Sequence, residues 1–210
     1  MKVVAVNGSP RKNGNTYSAL NYLEKIFNKN GIEFEIIHVG NSLIHGCTGC
    51  LTCRKTKDET CVFKEDLVND AIQIMKDADG LILGSPVYFS DIPGTMKSFL
   101  DRAFYVSTAN NNFFRHKVGA SIAAVRRSGG IPTYDNLNKY LLYSEMLVVG
   151  ANYWNVIHGR LPGEVLLDEE GLQMLETLGN NMVWTLKMVN ESKISKPKHV
   201  KKHYFSFIRD

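Results

Sequence analysis

Several features of specialised protein classes are absent from this sequence of 210 residues. No apolar run reaches the length of a membrane span, and the N-terminus enters a strand-like segment without the basic region, apolar stretch and cleavage site of a signal peptide. Hydrophobic residues make up 44% of the chain and charged residues 22%, which is usual for soluble domains. We therefore expect a cytoplasmic protein with one main domain and no membrane partner.

Acidic residues are missing between Lys193 and His203, where five lysines occur. The net charge of +4 belongs to this stretch, since the rest of the chain carries a net charge of −1. Such a basic stretch can bind nucleic acid or an anionic membrane, but we favour an extension that is solvated or contacts a partner, and we expect no nucleic-acid partner. We predict that residues 1–192 form the domain and that residues 193–210 form a basic C-terminal extension.

Strand-like and helix-like segments alternate along the chain. The alternation predicts an α/β fold with a five-stranded parallel sheet of order 2-1-3-4-5, which is a flavodoxin-like three-layer sandwich. The strands are expected at Lys2 to Asn7, Glu33 to Val39, Gly80 to Gly84, Lys117 to Val125 and Leu147 to Trp154. Ligands of such sheets bind beyond the carboxyl ends of the strands, so residues 8–16, 85–90 and 126–130 should converge.

The loop after the first strand lacks both common glycine-rich phosphate motifs. It contains neither G-x-G-x-x-G nor G-x-x-x-x-G-K-S/T, which argues against a classical dinucleotide or triphosphate site. The loop nevertheless joins a strand to a helix and is rich in hydroxyl, amide and guanidinium donors, namely Ser9, Arg11, Asn13, Asn15 and Thr16. Such donors at a helix N-terminus predict a site for a terminal phosphate, although a well-capped turn would have the same pattern.

Two segments, GSPRKNGNT at residues 8–16 and GSPVYFSDIPGTMKSFLDR at residues 84–102, resemble the motifs of the NADPH-dependent FMN reductase family of flavodoxin-like proteins. The resemblance covers roughly the first 130 residues. It implies that residues 1–192 bind FMN, that a reduced nicotinamide supplies electrons, and that the protein is a homodimer or homotetramer. It also implies that Ser9, Arg11, Asn15 and Thr16 hold the FMN phosphate, and that Asn13 and Gly14 shape the loop.

The same resemblance assigns roles to the other two loops. The segment Pro86, Val87, Tyr88 and Phe89 would lie against the isoalloxazine ring, because a flat apolar ring needs flat apolar walls. The third loop would approach the pyrimidine side of the flavin with Arg126, Ser128, Gly129 and Gly130. We expect no catalytic side chain, because flavin N5 carries the hydride, and we expect structural roles for Asp101 and Arg102.

Cysteine is absent from the chain except at positions 47, 50, 53 and 61. The run resembles that of the iron–sulfur flavoproteins, in which such cysteines bind a [4Fe–4S] cluster. Cys47, Cys50, Cys53 and Cys61 are therefore candidate cluster ligands. Free thiols and a zinc site are the alternatives, since a cysteine run alone does not distinguish them.

Two functions are consistent with these patterns. The first is an FMN-dependent NAD(P)H oxidoreductase that passes electrons to a small acceptor such as a quinone, a nitro compound or a free flavin. The second is an iron–sulfur flavoprotein that carries electrons to or from a protein redox partner. The cysteines distinguish the two functions, because only the second requires a cluster beside the flavin.

Overall fold

A parallel β-sheet forms the centre of the molecule in the computed structural model, which describes residues 1–200, 202–205 and 207–208. The strands are β1 (Lys2–Asn7), β2 (Glu33–His38), β3 (Gly80–Pro86), β4 (Val118–Val125), β5 (Leu147–Val148) and β6 (Val156–His158). The helices are α1 (Asn15–Lys29), α2 (Thr52–Thr56), α3 (Val68–Asp77), α4 (Gly94–Ala109), α5 (Gly130–Tyr143) and α6 (Glu169–Glu191), with a 3-10 turn at Glu164–Leu167.

The strand order is β2-β1-β3-β4-β5, which confirms the predicted flavodoxin-like order. All the ladders are parallel, and β4 is buried along its whole length, as expected for a central strand covered on both faces. The fifth position of the sheet differs from the prediction. It holds two short strands, since β5 pairs with the start of β4 and β6 pairs with its end.

The segment between β5 and β6 leaves the sheet at Gly150 and returns at Asn155. The backbone N–H of Val149 still donates to the carbonyl of Gly119, and the carbonyl of Asn155 accepts from the N–H of Ala123. Between these points Tyr153 and Trp154 are exposed. The strand predicted over Leu147 to Trp154 is therefore interrupted because its aromatic residues leave the ladder.

The core consists of two layers, one on each face of the sheet. Alternate residues of β1 divide between them, because successive side chains of a strand point to opposite faces. Val3 and Ala5 pack with residues of α1 and α6, whereas Val4 and Val6 pack with residues of α3 and α4. This arrangement is the predicted three-layer sandwich.

Specific residues mark the bounds of the helices near the candidate site. α4 extends to Ala109, and near its end Ser107 is buried and its hydroxyl accepts the N–H of Phe114. α5 begins at Gly130, directly after its N-cap residue Gly129. The short helix α2 lies inside the segment that carries the cysteines and includes Cys53. Of the helices that the structure describes, none is long and apolar enough to cross a membrane.

Candidate functional site

A cavity of about 160 Å³ opens at the carboxyl edge of the sheet, between the ends of β1, β3 and β4. The first two predicted loops converge there, together with Arg126 from the third loop. A fourth segment, which follows β6, was not predicted to take part. The lining residues are Ser9, Pro10, Arg11, Gly14, Asn15, Thr16, Pro86, Val87, Tyr88, Ala124, Arg126, Gly159 and Arg160.

The first loop is held in one conformation by its own hydrogen bonds. The N–H of Ser9 donates to the side-chain oxygen of Asn7 at 3.0 Å, and the N–H of Arg11 donates to the Ser9 hydroxyl at 3.2 Å. His38 Nε2 lies 2.7 Å from the carbonyl oxygen of Ser9 and donates to it from β2. A Cβ on Gly14 would lie 3.0 to 3.3 Å from Arg11 and Ser9, so the turn leaves little room for a side chain there. The loop is therefore formed before any ligand arrives.

Two buried polar atoms at this loop have no hydrogen-bond partner within the described part of the chain. They are the Thr16 hydroxyl, in the first turn of α1, and the side-chain nitrogen of Asn7, at the end of β1. Buried donors without partners are rare because they cost free energy. Gly14, the N-cap residue of α1, offers no side-chain cap either, so the positive end of the helix faces the cavity uncapped. The Thr16 hydroxyl and the N-terminus of α1, which both border the cavity, fit a phosphate group.

The other predicted residues of the first loop differ in their placement. Asn15 lines the cavity, but its side-chain oxygen also lies 3.5 Å from the backbone nitrogen of Val165. Its amide nitrogen is only 2.8 Å from the position of a Cβ on Gly159, so Asn15 also packs against the segment after β6. Arg11 is exposed and lines the cavity, whereas Asn13 is exposed and lies outside the lining.

The second loop ends in a tight two-residue turn. The backbones of Tyr88 and Asp91 exchange hydrogen bonds of 2.9 Å, and both central residues have left-handed backbone angles, with φ of 49° at Phe89 and 60° at Ser90. Tyr88 is about half exposed and lines the cavity. Phe89 is fully exposed at the tip and does not line it. A bulky residue with a positive φ is strained, and such strain is typical of ligand-binding segments.

The third loop divides between two cavities. Arg126 lines the cavity beside the first loop, whereas Arg127, Ser128, Gly129 and Gly130 line a neighbouring one of about 440 Å³. The neighbouring cavity is also lined by Tyr153, Trp154 and His158. A Cβ on Gly129, whose φ is +87°, would lie 2.7 to 2.9 Å from Ser90 and Val87, so the second and third loops touch at this glycine.

Apart from Ala124, which belongs to β4, Gly159 and Arg160 are the residues of this lining that lie outside the predicted loops. They follow β6, a strand of three residues inside a stretch that has the composition of a loop. One signal in the sequence could have identified this segment. Arg160 closely follows the apolar pair Val156 and Ile157, and residues just after a parallel strand lie at the ligand-binding edge of the sheet.

All four cysteines line one small cavity of about 20 Å³, together with Arg102 and Phe63. Their thiols are free; Cys47 and Cys50 are exposed, and Cys53 is buried. Burial, and then the nearby Cys61, Cys50 and Cys47, raise the pKa of the Cys53 thiol, whereas a hydrogen bond with Thr52 lowers the pKa of Cys50. All four thiols of the segment therefore border the same cavity.

The arrangement of these thiols bears on the choice between zinc and a cluster. Among the residues that the structure describes, no three His, Cys, Asp or Glu side chains are close enough to hold one metal ion. This spacing does not fit zinc, whose ligands all meet at a single ion. In a [4Fe–4S] cluster each cysteine binds a different iron, so the sulfur atoms stand further apart. The four thiols line one cavity, but its volume of about 20 Å³ suits about one water, so the residue types and not the present spacing match the donor set of a cluster.

Asp101 and Arg102 form the ion pairs expected of structural residues. Asp101 accepts from Lys97 at 2.7 and 2.9 Å and from the Tyr140 hydroxyl at 2.5 Å. Burial, reinforced by this hydrogen bond with Asp101, raises the pKa of Tyr140 to about 12. Arg102 is buried and paired with Asp66, close to the cysteines.

Comparison with known proteins places these features in a family. A model described as NADPH-dependent FMN reductase matches residues 1–160. A Methanocaldococcus jannaschii protein named iron-sulfur flavoprotein is 32% identical over 91% of this chain and 100% of its own length. An Archaeoglobus fulgidus protein of the same name is 33% identical over 87% of this chain and 79% of its own.

Solved structures show the same fold at low sequence identity. RosB with a bound riboflavin-phosphate intermediate has a TM-score of 0.67 at 13% identity, over 100% of this chain and 95% of its own. The NAD(P)H:acceptor oxidoreductase FerB of Paracoccus denitrificans has a TM-score of 0.60 at 18% identity, over 89% of this chain and 97% of its own. At these identities the likeness supports the fold alone.

Proposed function

Because the chain belongs to the NADPH-dependent FMN reductase family, we propose that it is a flavin-dependent oxidoreductase that binds FMN at the carboxyl edge of its sheet. The observation that carries this proposal is the buried hydroxyl of Thr16, which has no partner among the described residues and lies beside a helix N-terminus without a side-chain cap. A phosphate placed there would satisfy both. FMN, when bound, supplies reversible hydride and single-electron chemistry.

The chain's own residues would bind and orient this cofactor. Thr16, the Ser9 hydroxyl and the N–H groups at the start of α1 would hold the phosphate, and Arg11 would add a mobile positive charge. Val87 and Tyr88 would form an apolar wall for the ring. Gly129 would let the third loop approach closely, since it already contacts Val87 and Ser90 without a side chain.

The second cavity suits a second flat ligand. Tyr153 and Trp154 supply exposed aromatic faces there, and Arg127 supplies a positive charge. We assign this cavity to the reductant or the acceptor. The expected reductant is NADH or NADPH, and the expected acceptor is a small quinone, nitro compound or free flavin. The homodimer or homotetramer expected from the resemblance stays part of this proposal, and sedimentation equilibrium would test it.

A second candidate function is favoured by the cysteines. Four thiols line one cavity, and the relatives that match nearly the full chain are named iron-sulfur flavoproteins. For this second function, a [4Fe–4S] cluster would be bound by Cys47, Cys50, Cys53 and Cys61. The cluster, when bound, would supply one-electron transfer. The redox partner would then be a protein, and the flavin would exchange electrons with that protein one at a time.

One anaerobic preparation tests both candidates. The protein is purified without oxygen, its FMN, iron and sulfide are measured, and the loss of flavin absorbance is followed after addition of NADH, NADPH or a reduced ferredoxin. Rapid bleaching by a nicotinamide supports the reductase. Four irons per chain with bleaching by ferredoxin alone supports the electron carrier. A preparation that binds no FMN contradicts the oxidoreductase proposal itself.

A further inference from the structure

The buried guanidinium of Arg102 contacts the cysteine segment at four points. Its Nε–H donates to the sulfur of Cys61 at 3.2 Å. Its two terminal nitrogens donate to the carbonyls of His45 at 3.2 Å and Phe63 at 3.1 Å, and also to the carboxylate of Asp66. Only 1% of Arg102 is exposed, so these contacts must replace all of its hydration.

These contacts fasten both ends of the segment that carries the cysteines. His45 lies two residues before Cys47, whereas Phe63 and Asp66 follow Cys61. The Phe63 ring also lies over the guanidinium at 5.2 Å and stacks on the His45 ring at 4.5 Å. One side chain on α4 thus closes residues 45–66 into a loop.

Cys61 is held from three directions in this arrangement. Its backbone N–H donates to the side-chain oxygen of Asn69 at 2.7 Å, and its carbonyl accepts from the Asn69 amide at 3.1 Å. The N–H of Arg102 fixes its sulfur from a third direction. Cys47 and Cys50 have no such enclosure, because both are exposed.

Stability alone does not explain a buried arginine here. A buried ion pair is often no more stable than a well-packed apolar pair of the same volume, because desolvation offsets the attraction. An apolar pair, however, could not donate an N–H to a sulfur atom. Hydrogen bonds and positive charge at a ligand sulfur stabilise the reduced, more negative form of an iron–sulfur cluster and therefore raise its reduction potential.

We infer that Arg102 is a positioning residue for the cysteine segment, which fixes Cys61 as a cluster ligand and raises the reduction potential of that cluster through its N–H and charge. This inference rests on the second function proposed above. Its two consequences are separate: cluster occupancy reports the positioning, and the potential reports the hydrogen bond and charge.

The test uses two changes at the site and a matched control. Arg102→Lys keeps the charge but loses the fork of donors. The double change Arg102→Met with Asp66→Asn removes both charges, so no buried charge is left unpaired. The control is Arg115→Met with Glu145→Gln, because Arg115 also pairs with a carboxylate and donates to two backbone carbonyls, those of Pro197 and Lys198, away from the cysteines.

Each protein is reconstituted anaerobically with ferrous iron and sulfide, and bound FMN reports whether it has folded. We expect Arg102→Lys to shift the cluster potential to a more negative value by about 59 mV, which is a tenfold change in the ratio of reduced to oxidised cluster for one electron. The double variant should lose about half or more of its iron while keeping FMN, and the control should match the wild type. Wild-type iron content and potential in Arg102→Lys would overturn the inference, even if the double variant failed to fold.

Failure of the cluster proposal would give a different result. If the wild-type protein takes up no iron or sulfide, the second function fails, and cleavage of the cluster-free protein by a protease decides the positioning claim. Arg102→Lys should then be cut within residues 45–66 about tenfold faster than the wild type or the control, because the segment opens more often. Equal cleavage rates would overturn the positioning claim.

Discussion

Replacement of Thr16 by Val should weaken FMN binding without weakening the fold. The change keeps the branched shape of the side chain and removes only the hydroxyl. The methyl group of Thr16 packs against β3, 3.2 Å from the position of a Cβ on Gly84, and valine retains this contact. The hydroxyl is buried and has no partner among the described residues, so no hydrogen bond recorded for the free protein is lost.

The expected magnitudes follow from this geometry. A hydrogen bond to a charged group contributes about 1.5–3 kcal/mol, so its loss should raise the Kd for FMN about 10- to 150-fold. In the free protein, valine removes a buried polar atom that has no partner within the part of the chain that the structure describes. The melting temperature of the flavin-free protein should therefore stay the same or rise by about 2–4 °C for each 1 kcal/mol gained.

Two measurements on the same preparation test this prediction. Quenching of flavin fluorescence during titration of the flavin-free protein gives the Kd, and calorimetry gives the melting temperature. Thr177→Val is the control, because this threonine is half-buried on α6 and its hydroxyl donates to the carbonyl of Gln173 in the same helix. An unchanged Kd for Thr16→Val would refute the assignment of this loop to the phosphate. A lower melting temperature with an unchanged Kd would mean that the hydroxyl serves the fold instead.

Three further predictions concern other parts of the molecule. Gly14→Ala should weaken FMN binding about tenfold because its Cβ would crowd Arg11 and Ser9, whereas Gly94→Ala, with no atom within 4 Å, should leave binding unchanged in the same titration. The pKa of Tyr140 is raised in the folded protein, so the folded protein keeps this proton at a higher pH than the unfolded chain does. The free energy of unfolding should therefore fall between about pH 10 and about pH 12. Denaturant titrations should show a shallower fall for Tyr140→Phe, and an identical fall would contradict the assignment. Phe89→Gly should raise the melting temperature by about 2–4 °C, since glycine adopts a positive φ without strain; a lower value would show that the exposed ring stabilises the free protein.

The fold was predictable because its signals are local. The apolar run of β4 and the periodicity of α1 reflect burial of nearby residues, and the strand order follows from the alternation of elements. The break between β5 and β6 was not predictable in this way. Residues 147–158 contain apolar residues throughout, and only the pairing with β4 shows which of them stay in the sheet.

The candidate site was predictable at its loops but not at its side-chain directions. The sequence placed Ser9, Thr16 and Tyr88 near one another because parallel strands end at one edge. The sequence did not show that Arg126 and Arg127 line different cavities, because tertiary contacts decide the directions of adjacent side chains on a loop. It also missed the pairing of Arg102 with Asp66, two residues that are 36 positions apart and meet only after folding.

The central claim is that the loop at residues 8–16 holds a phosphate, and the comparison of FMN with riboflavin tests it most directly. The two ligands share the ring and the ribityl chain and differ only in that group. Two or more hydrogen bonds to a charged phosphate predict that the flavin-free protein binds FMN at least about 100-fold more tightly than riboflavin. Equal dissociation constants for the two flavins would contradict the account.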